Sequence, residues 1–173
     1  ELQSSGKTKL RAVALKYGAQ VFEGLRCYRT GDGTFNILAM EHHIQRLFDS
    51  ARIMRIEIPF TAEEIKAQII NTLKVNKLTS DSYVRLACSV GEDGPITSTG
   101  GIVVSITAVA QGRKHFPQGQ RVCINGWQRI SDAQMPPRIK CVANYQNGRL
   151  AMLQAKEDNY DNVLLVDGRG KVC

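Results

Sequence analysis

The sequence predicts a mixed fold of the α+β class, organised in two parts. Hydrophobic residues make up 43% of the 173 residues and charged residues 23%, proportions that are typical of a folded globular chain. The strand patterns come in antiparallel hairpin order with helices grouped between them, instead of in strict strand–helix alternation. A segment rich in Gly, Pro and basic residues, 111–119, separates two runs of such elements and predicts a linker. We therefore expect one part over residues 1–110 and a second over residues 120–173.

Four strands are predicted in the first part. Two of them flank the turn signal Gly31-Asp32-Gly33 and form a hairpin. The fourth strand is very apolar and follows a loop that is rich in Gly and Thr. The predicted strands cover residues 21–29, 34–38, 82–90 and 102–109.

Two helices are predicted between these strands. The first covers residues 41–54 and spaces four apolar residues along one face, namely Ile44, Leu47, Phe48 and Ala51. Thr61 followed by Glu64 is the signature of a capping box, which marks the start of the second helix. That helix carries the apolar residues Ile65, Ile69, Ile70 and Leu73.

The second part begins with a strand and ends in a turn. Its regular elements are a strand over 121–127, a helix over 145–158 and a strand over 162–167. The Met-Pro-Pro sequence at 135–137 breaks regular structure, and Gly168-Arg169-Gly170 is a turn signal. A unit of roughly 50 residues with two or three strands is too small for an independent core. We therefore expect the chain to be a fragment, or its parent to continue beyond Cys173.

The net charge of +7 suggests an anionic partner. The lysines and arginines are scattered along the chain, with no run of five or more, which argues against nucleic acid. No apolar run reaches the roughly 18 residues of a membrane span. We therefore expect neither nucleic-acid binding nor membrane insertion.

The cysteines and histidines point to a reducing compartment without a metal site. The five cysteines contain no Cys-x-x-Cys pair, so neither a disulfide framework nor a zinc site is indicated. His42, His43 and His115 lack carboxylate or cysteine partners at ligand spacing. No signal-peptide pattern is present, and residues 1–6 form a polar leader. The expected location is the cytoplasm.

Two cationic side chains are candidates for chemistry. Lys140 lies between a Pro-rich loop and a helix start, with apolar neighbours. A lysine in such a loop is usually a solvated charge, whereas burial would favour the neutral amine that Schiff-base chemistry needs. Arg46 lies between the apolar helix positions Ile44 and Leu47. At the edge of the packed face it could extend to water or hold a phosphate with two hydrogen bonds.

Candidate substrate residues lie in and before the strands. Tyr83 and Arg85 share one strand face, which suits carboxylate binding and also an ordinary surface cross-strand pair. Tyr17 and Phe22 lead into the first strand, and Gly24 inside it suggests close approach of a ligand or another backbone. Aromatic packing in a core explains Phe22 equally well.

Six segments carry a family resemblance when they are taken in order. They are YGAQVFEG (17–24), EHHIQRLFDSARI (41–53), SYVR (82–85), WQR (127–129), KCVANY (140–145) and YDNVLLVD (160–167). This chain resembles the fold-type IV pyridoxal-phosphate (PLP) enzymes, and within them the branched-chain amino acid aminotransferases. Tyr-x-Arg at 83–85 and Asn-Tyr at 144–145 are more similar to that group than to the D-amino-acid transaminases or aminodeoxychorismate lyases.

The resemblance implies a two-domain architecture and PLP as cofactor. A small N-terminal α/β domain would be followed by the start of a larger, truncated C-terminal domain that binds PLP. Lys140 matches the lysine that forms the internal aldimine and moves the proton between substrate Cα and cofactor C4′. Arg46 matches the arginine on the cofactor phosphate. Tyr145 matches the tyrosine that hydrogen-bonds the pyridine-ring oxygen.

The resemblance also implies a substrate site. Tyr83 resembles a residue at the substrate α-carboxylate. Arg85 and Tyr17 resemble groups that recognise the side-chain carboxylate of glutamate, and Phe22 and Gly24 resemble part of the apolar side-chain pocket. The pocket must take a branched alkyl group in one half-reaction and a γ-carboxylate in the other. The implied protein is a homodimer that moves an amino group between a branched-chain L-amino acid and 2-oxoglutarate.

Two departures from the family pattern keep alternatives open. Residues 110–117 lack the usual aromatic-rich stretch, so the interdomain loop over the substrate differs. The family's acidic partner of the pyridine nitrogen would fall just beyond Cys173, after the Gly-x-Val motif at 170–172. One alternative is another fold-type IV enzyme, either a D-amino acid or amine transaminase or an aminodeoxychorismate lyase. The other is a catalytically incompetent fragment that acts as an interaction module.

Overall fold

The computed structural model describes residues 8–173, so the predicted polar leader at 1–6 lies outside the described residues. The described chain divides into two compact units. The first contains the residues up to Arg113 together with Ile139–Cys141, and the second contains Lys114–Arg138 and Val142–Cys173. The short segment around Lys140 therefore lies with the first unit, although the sequence assigns it to the second part. The domain boundaries at 110 and 120 remain a proposal.

The first unit is built on a four-stranded antiparallel sheet. The chain passes through a short helix, α1 (Val13–Tyr17), then β1 (Gln20–Arg29), β2 (Phe35–Ile37), β3 (Ser82–Val90) and β4 (Ile102–Ala110). The strand order is β2-β1-β3-β4, and each neighbouring pair is antiparallel. The predicted hairpin and the two later strands are confirmed.

Two helices, α2 (Met40–Ile53) and α3 (Ala62–Val75), belong to the same unit. Their apolar side chains pack in one core with alternate side chains of the strands. Fully buried aliphatic side chains of this core include Val21, Leu25, Ile44, Leu47, Ile65, Ile69, Val84 and Leu86. Each buried aliphatic side chain contributes about 1.5–3 kcal/mol relative to exposure. The capping box at Thr61 and Glu64 is confirmed, whereas Ile70 is 40% exposed because it points roughly 100° away from Ile69.

The second unit contains a strand–helix–strand arrangement. Its elements are β5 (Val122–Gln128), a 3₁₀ turn at Val142–Asn144, α4 (Tyr145–Glu157) and β6 (Asn162–Val166). The hairpin order expected from the sequence holds in the first unit, but β5 and β6 are parallel. A helix between two strands provides the long crossover that parallel pairing needs. No helix within residues 8–173 is long and apolar enough to cross a membrane.

Candidate functional site

The two faces of β1 carry different chemistry because its side chains alternate. Val21, Glu23 and Leu25 are fully buried, and Val21 and Leu25 are part of the core shared with α2 and α3. Phe22 and Gly24 point to the opposite face of the sheet. On that face Gly24 pairs with Arg85 and Arg26 pairs with Tyr83 across the β1–β3 ladder. The predicted substrate residues of the two strands therefore share one face.

The backbone around Lys140 is bonded to β1 and α2. The amide of Phe22 donates to the carbonyl of Lys140 at 3.0 Å, and the amide of Lys140 donates to Oγ of buried Ser50 at 3.1 Å. Its neighbour Cys141 is fully buried, with Sγ 3.6 Å from the carbonyl oxygen of Gly18. These contacts hold the backbone of the candidate lysine beside the first unit's sheet.

Three of the predicted site residues, Phe22, Arg85 and Lys140, lie close together at the Phe22 ring. The centroid of that ring lies 3.9 Å from Cζ of Arg85 and 4.8 Å from Nζ of Lys140. Both distances are within the range in which a cation is attracted to an aromatic ring. Phe22 as a whole residue is only 6% exposed. An amine, a guanidinium and an apolar wall therefore meet at one side chain.

Gly24 leaves the space in which the side chain of Tyr83 lies. A Cβ at position 24 would come within 2.8 Å of Cζ of Tyr83, closer than two carbon atoms approach without a shift. The group that approaches Gly24 closely is this aromatic side chain, whereas the sequence suggested a ligand or another backbone. The structure therefore also brings Gly24 and Tyr83 together.

Arg46 forms a bidentate ion pair with Glu23, a residue that the sequence did not identify as part of the site. Its Nε donates to Oε1 of Glu23 at 2.5 Å and its Nη2 donates to Oε2 at 2.6 Å. Nδ1 of His43 lies 2.8 Å from the same Oε2. Strand alternation carried the signal for Glu23, because it places this charged residue on the same face as buried Val21 and Leu25.

His43 has a carboxylate partner that sequence spacing does not reveal. Its sequence neighbourhood offers no carboxylate at ligand spacing, but the fold supplies Glu23 from β1. Sequence spacing on one helix cannot report a partner that arrives from a strand. Within residues 8–173, no cluster of three or more His, Cys, Asp or Glu side chains is arranged to hold a metal ion.

Tyr17 lies at the end of α1, and the contacts just described do not extend to it. It is 46% exposed, and Nζ of Lys16 lies 5.3 Å from its ring centroid. The helix is fastened to Asp93, whose carboxylate accepts from Nε of Arg11 at 2.5 Å and from Nζ of Lys16 at 2.9 Å. These two hydrogen bonds lower the pKa of Asp93 to about 2, and the bond from Arg11 has the larger effect. Lys16, the neighbour of Tyr17 in the sequence, thus belongs to this ion-pair cluster.

Tyr145 belongs to the second unit, where it is the first residue of α4 and is 49% exposed. The start of α4 is fastened within that unit by two asparagines. Nδ2 of Asn144 donates to the carbonyl of Pro136 at 3.1 Å, and Nδ2 of Asn147 donates to the carbonyl of Gln128 at 2.8 Å. The backbone that carries Tyr145 is thus tied to β5 and to the Pro-rich loop.

The thiols of the strands are poor candidates for a nucleophile. Burial raises the pKa of Cys27, and it raises the pKa of Cys88 to about 12. A thiol is reactive as its thiolate, so a raised pKa makes it inert near neutral pH. All five cysteines are free of disulfide bonds. Neither Cys27 nor Cys88 is therefore a candidate nucleophile near neutral pH.

Comparison with solved structures finds the same fold over nearly the whole of this chain. The branched-chain aminotransferase of Thermoproteus uzoniensis, solved with norvaline, superposes with a TM-score of 0.91 at 28% identity and covers 98% of this chain and 58% of that one. The branched-chain amino acid aminotransferase of Thermobaculum terrenum, solved in its PLP form, gives a TM-score of 0.86 at 27% identity and covers 98% and 56%. The α+β fold expected from the sequence is confirmed.

Curated relatives and a family model agree with the structural comparison. The branched-chain-amino-acid aminotransferase of Pseudomonas aeruginosa is 32% identical over 172 residues, which are 96% of this chain and 55% of the relative. That of Escherichia coli K12 is 28% identical over 173 residues, with the same coverage. The chain thus spans about half the length of these relatives. The model of the amino-transferase class IV family matches residues 20–173, and the chain therefore belongs to the class IV aminotransferase family.

Proposed function

We propose that the protein is a PLP-dependent aminotransferase that moves an amino group between a branched-chain L-amino acid and 2-oxoglutarate. The observation that carries the proposal is the meeting of Lys140, Arg85 and Phe22 at one aromatic ring. A primary amine, a cation that suits a carboxylate and an apolar wall are three of the groups that such a transfer uses. Membership of the class IV family supports the reaction type, and the branched-chain aminotransferases among its relatives support the substrate class.

The residues present suit PLP as cofactor. Lys140 offers a primary amine on a backbone held at both its amide and its carbonyl. Arg46 offers a guanidinium of the kind that pairs with phosphate, already oriented by Glu23. Tyr145 is the proposed partner of the pyridine-ring oxygen. When bound, PLP supplies the electron sink that makes the substrate Cα–H bond acidic.

The protein's own residues bind the substrate and move the proton. With PLP bound, Nζ of Lys140 would accept the proton from substrate Cα and hold it for return during the transfer. Phe22 excludes water and contacts the branched side chain, while Arg85 binds the γ-carboxylate of glutamate at the edge of the same ring. Tyr83 binds the α-carboxylate, beside Gly24. Tyr17 joins Arg85 in recognising glutamate.

Borohydride reduction of the natural protein at its full length, followed by peptide mapping, tests the proposal. We expect a stable pyridoxyl group on Lys140. Lys140→Arg should abolish the label, whereas Lys156→Arg, at an exposed lysine of α4, should leave it intact. A protein that binds PLP and carries the label on another lysine would overturn the assignment of Lys140. A protein with no label at all would favour the non-catalytic module.

The choice of amino donor separates the enzyme alternatives. We expect transfer from L-leucine, L-isoleucine, L-valine and L-glutamate. Transfer from D-alanine or from a simple amine, without transfer from L-leucine, would favour the other fold-type IV enzymes. The proposal includes a homodimer, which light scattering on the natural protein tests. It also includes a cytoplasmic location, in keeping with five unpaired cysteines.

A further inference from the structure

We propose that Glu23 is a positioning residue, which orients the Arg46 guanidinium so that it can bind the phosphate of PLP. The inference rests on the proposed function and adds to it a carboxylate that never touches the cofactor. It follows from the burial of Glu23, from the geometry of its contacts with Arg46 and His43, and from the charge of the phosphate.

Glu23 is fully buried, and its carboxylate is surrounded by nitrogen atoms. Oε1 accepts from Nε of Arg46 at 2.5 Å, and Oε2 accepts from Nη2 of Arg46 at 2.6 Å. Nδ1 of His43, one turn earlier on α2, lies 2.8 Å from Oε2. A buried carboxylate is costly unless its oxygens are hydrogen-bonded. The fold therefore strongly favours the Arg46 orientation that supplies these two bonds.

The two bonds fix the plane of the guanidinium. A guanidinium carries five N–H groups in a rigid fork, and Glu23 takes two of them along the Nε–Nη2 edge. The Nη1 side of the fork therefore points away from the buried carboxylate. The Arg46 side chain is 47% exposed while the Glu23 side chain is 0% exposed. Arg46 thus extends from a buried carboxylate into a partly exposed position.

Charge alone predicts the opposite effect of Glu23 on phosphate binding. A carboxylate beside an arginine partly cancels the positive charge and repels a phosphate dianion. Its benefit is pre-organisation, because an arginine held in one rotamer loses less side-chain entropy when its ligand binds. The sign of the effect of removing Glu23 therefore distinguishes positioning from simple electrostatics.

The test compares PLP with pyridoxal, which lacks the phosphate. Dissociation constants for both are measured on the natural full-length apoprotein by visible absorbance, for the wild type and for Glu23→Gln. The ratio of pyridoxal Kd to PLP Kd isolates the contribution of the phosphate. A glutamine cannot accept both bonds from Arg46, so we expect this ratio to fall by roughly three- to tenfold, the cost of ordering one long side chain.

Three further variants show whether Glu23 acts through Arg46. Arg46→Ala should lower the ratio at least as much as Glu23→Gln does, and adding Glu23→Gln to Arg46→Ala should have no further effect. Asp49→Asn removes an exposed carboxylate of the same helix that pairs with Arg52, and it should leave the ratio unchanged. Glu23→Asp keeps the charge but shortens the reach. Glu23→Asp should also lower the ratio of the pyridoxal Kd to the PLP Kd. It provides the test if Glu23→Gln does not fold.

The outcomes separate this inference from the proposed function. An unchanged or raised ratio in Glu23→Gln or Glu23→Asp, with a lowered ratio in Arg46→Ala, would overturn the positioning role alone. An unchanged ratio in Arg46→Ala would overturn both the positioning role and the phosphate role of Arg46. A pyridoxyl label on Lys140 would uphold the proposed role of Lys140 in either case.

Discussion

The backbone amide of Lys140 donates a hydrogen bond to Oγ of Ser50, 3.1 Å away, across 90 residues of sequence. Ser50 lies on α2 one turn beyond Arg46, which binds Glu23 of β1. The same helix therefore fastens the candidate nucleophile by its backbone and carries the candidate phosphate ligand. A site works best when its groups are held on rigid elements, and α2 is the element that links these two.

Removing the Ser50 hydroxyl should loosen Lys140. Ser50→Ala leaves a partly buried amide without this acceptor, and an unsatisfied buried donor costs about 1–3 kcal/mol. We expect urea unfolding to show a loss of stability in that range and borohydride labelling of Lys140 to become slower. Ser131→Ala, at an exposed turn, is the matched control. Equal effects of the two substitutions would contradict a specific role for Ser50.

Filling the space above Gly24 should displace Tyr83. A Cβ at position 24 would come within 2.8 Å of Cζ of Tyr83, and overpacking of this kind costs about 1–3 kcal/mol. Gly24→Ala should therefore lower the free energy of unfolding and raise KM for the amino acid substrate. Gly148→Ala in α4 has open space around its new methyl group, so we expect it to stabilise the protein by about 0.5–1 kcal/mol. An unaltered KM in Gly24→Ala would argue against Tyr83 as a substrate ligand.

Substitution of Arg85 should discriminate between the two kinds of substrate. Hydrogen bonds to a charged group contribute about 1.5–3 kcal/mol, so Arg85→Ala should raise KM for 2-oxoglutarate roughly 10- to 100-fold. The KM for leucine should change much less, because its side chain carries no carboxylate. Steady-state kinetics with both substrates measures the difference, with Arg52→Ala on the exposed side of α2 as control. An equal rise in KM for both substrates would contradict the assignment of Arg85 to the side-chain carboxylate.

The Asp93 ion-pair cluster should make stability depend on acid pH. Hydrogen bonds from Arg11 and Lys16 lower the pKa of Asp93 from 3.8 to about 2. A carboxyl whose pKa is lower in the folded state than in the unfolded state stabilises the protein at pH values above its unfolded-state pKa. That contribution is lost as the pH falls toward the folded-state pKa, here about 2. The difference in Tm between wild type and Asp93→Asn should therefore be largest above about pH 5 and shrink between pH 4 and 2. A difference that stays constant over this range would show that the charge of Asp93 is not involved.

The local signals in the sequence were sufficient for the elements of the first unit. The strand Ser82–Val90 has the predicted ends, because its alternation and flanking polar residues lie within the segment itself. The capping box at Thr61 and Glu64 was likewise found, since both partners are three residues apart. The parallel pairing of β5 with β6 was not predicted, because strand direction depends on how α4 crosses between them.

The candidate site was predicted less completely than the fold. The proximity of Lys140 and Arg85 at Phe22 joins residues from three separate segments, and no spacing rule within a segment reports it. Arg46 was recognised as a cation at the edge of a helix face. Its partner Glu23 was missed, because the pairing joins a strand and a helix 23 residues apart.

The sequence by itself determined which elements form, which residues are available for chemistry and which family they resemble, because periodicity, caps and motifs are local properties of the chain. Only the tertiary structure decided which of these residues meet. It placed the backbone of Lys140 against β1 and α2 and Glu23 beneath Arg46. Such contacts depend on the packing of the helices against the sheet, and burial then selects the partners, since a buried carboxylate or amide must be hydrogen-bonded.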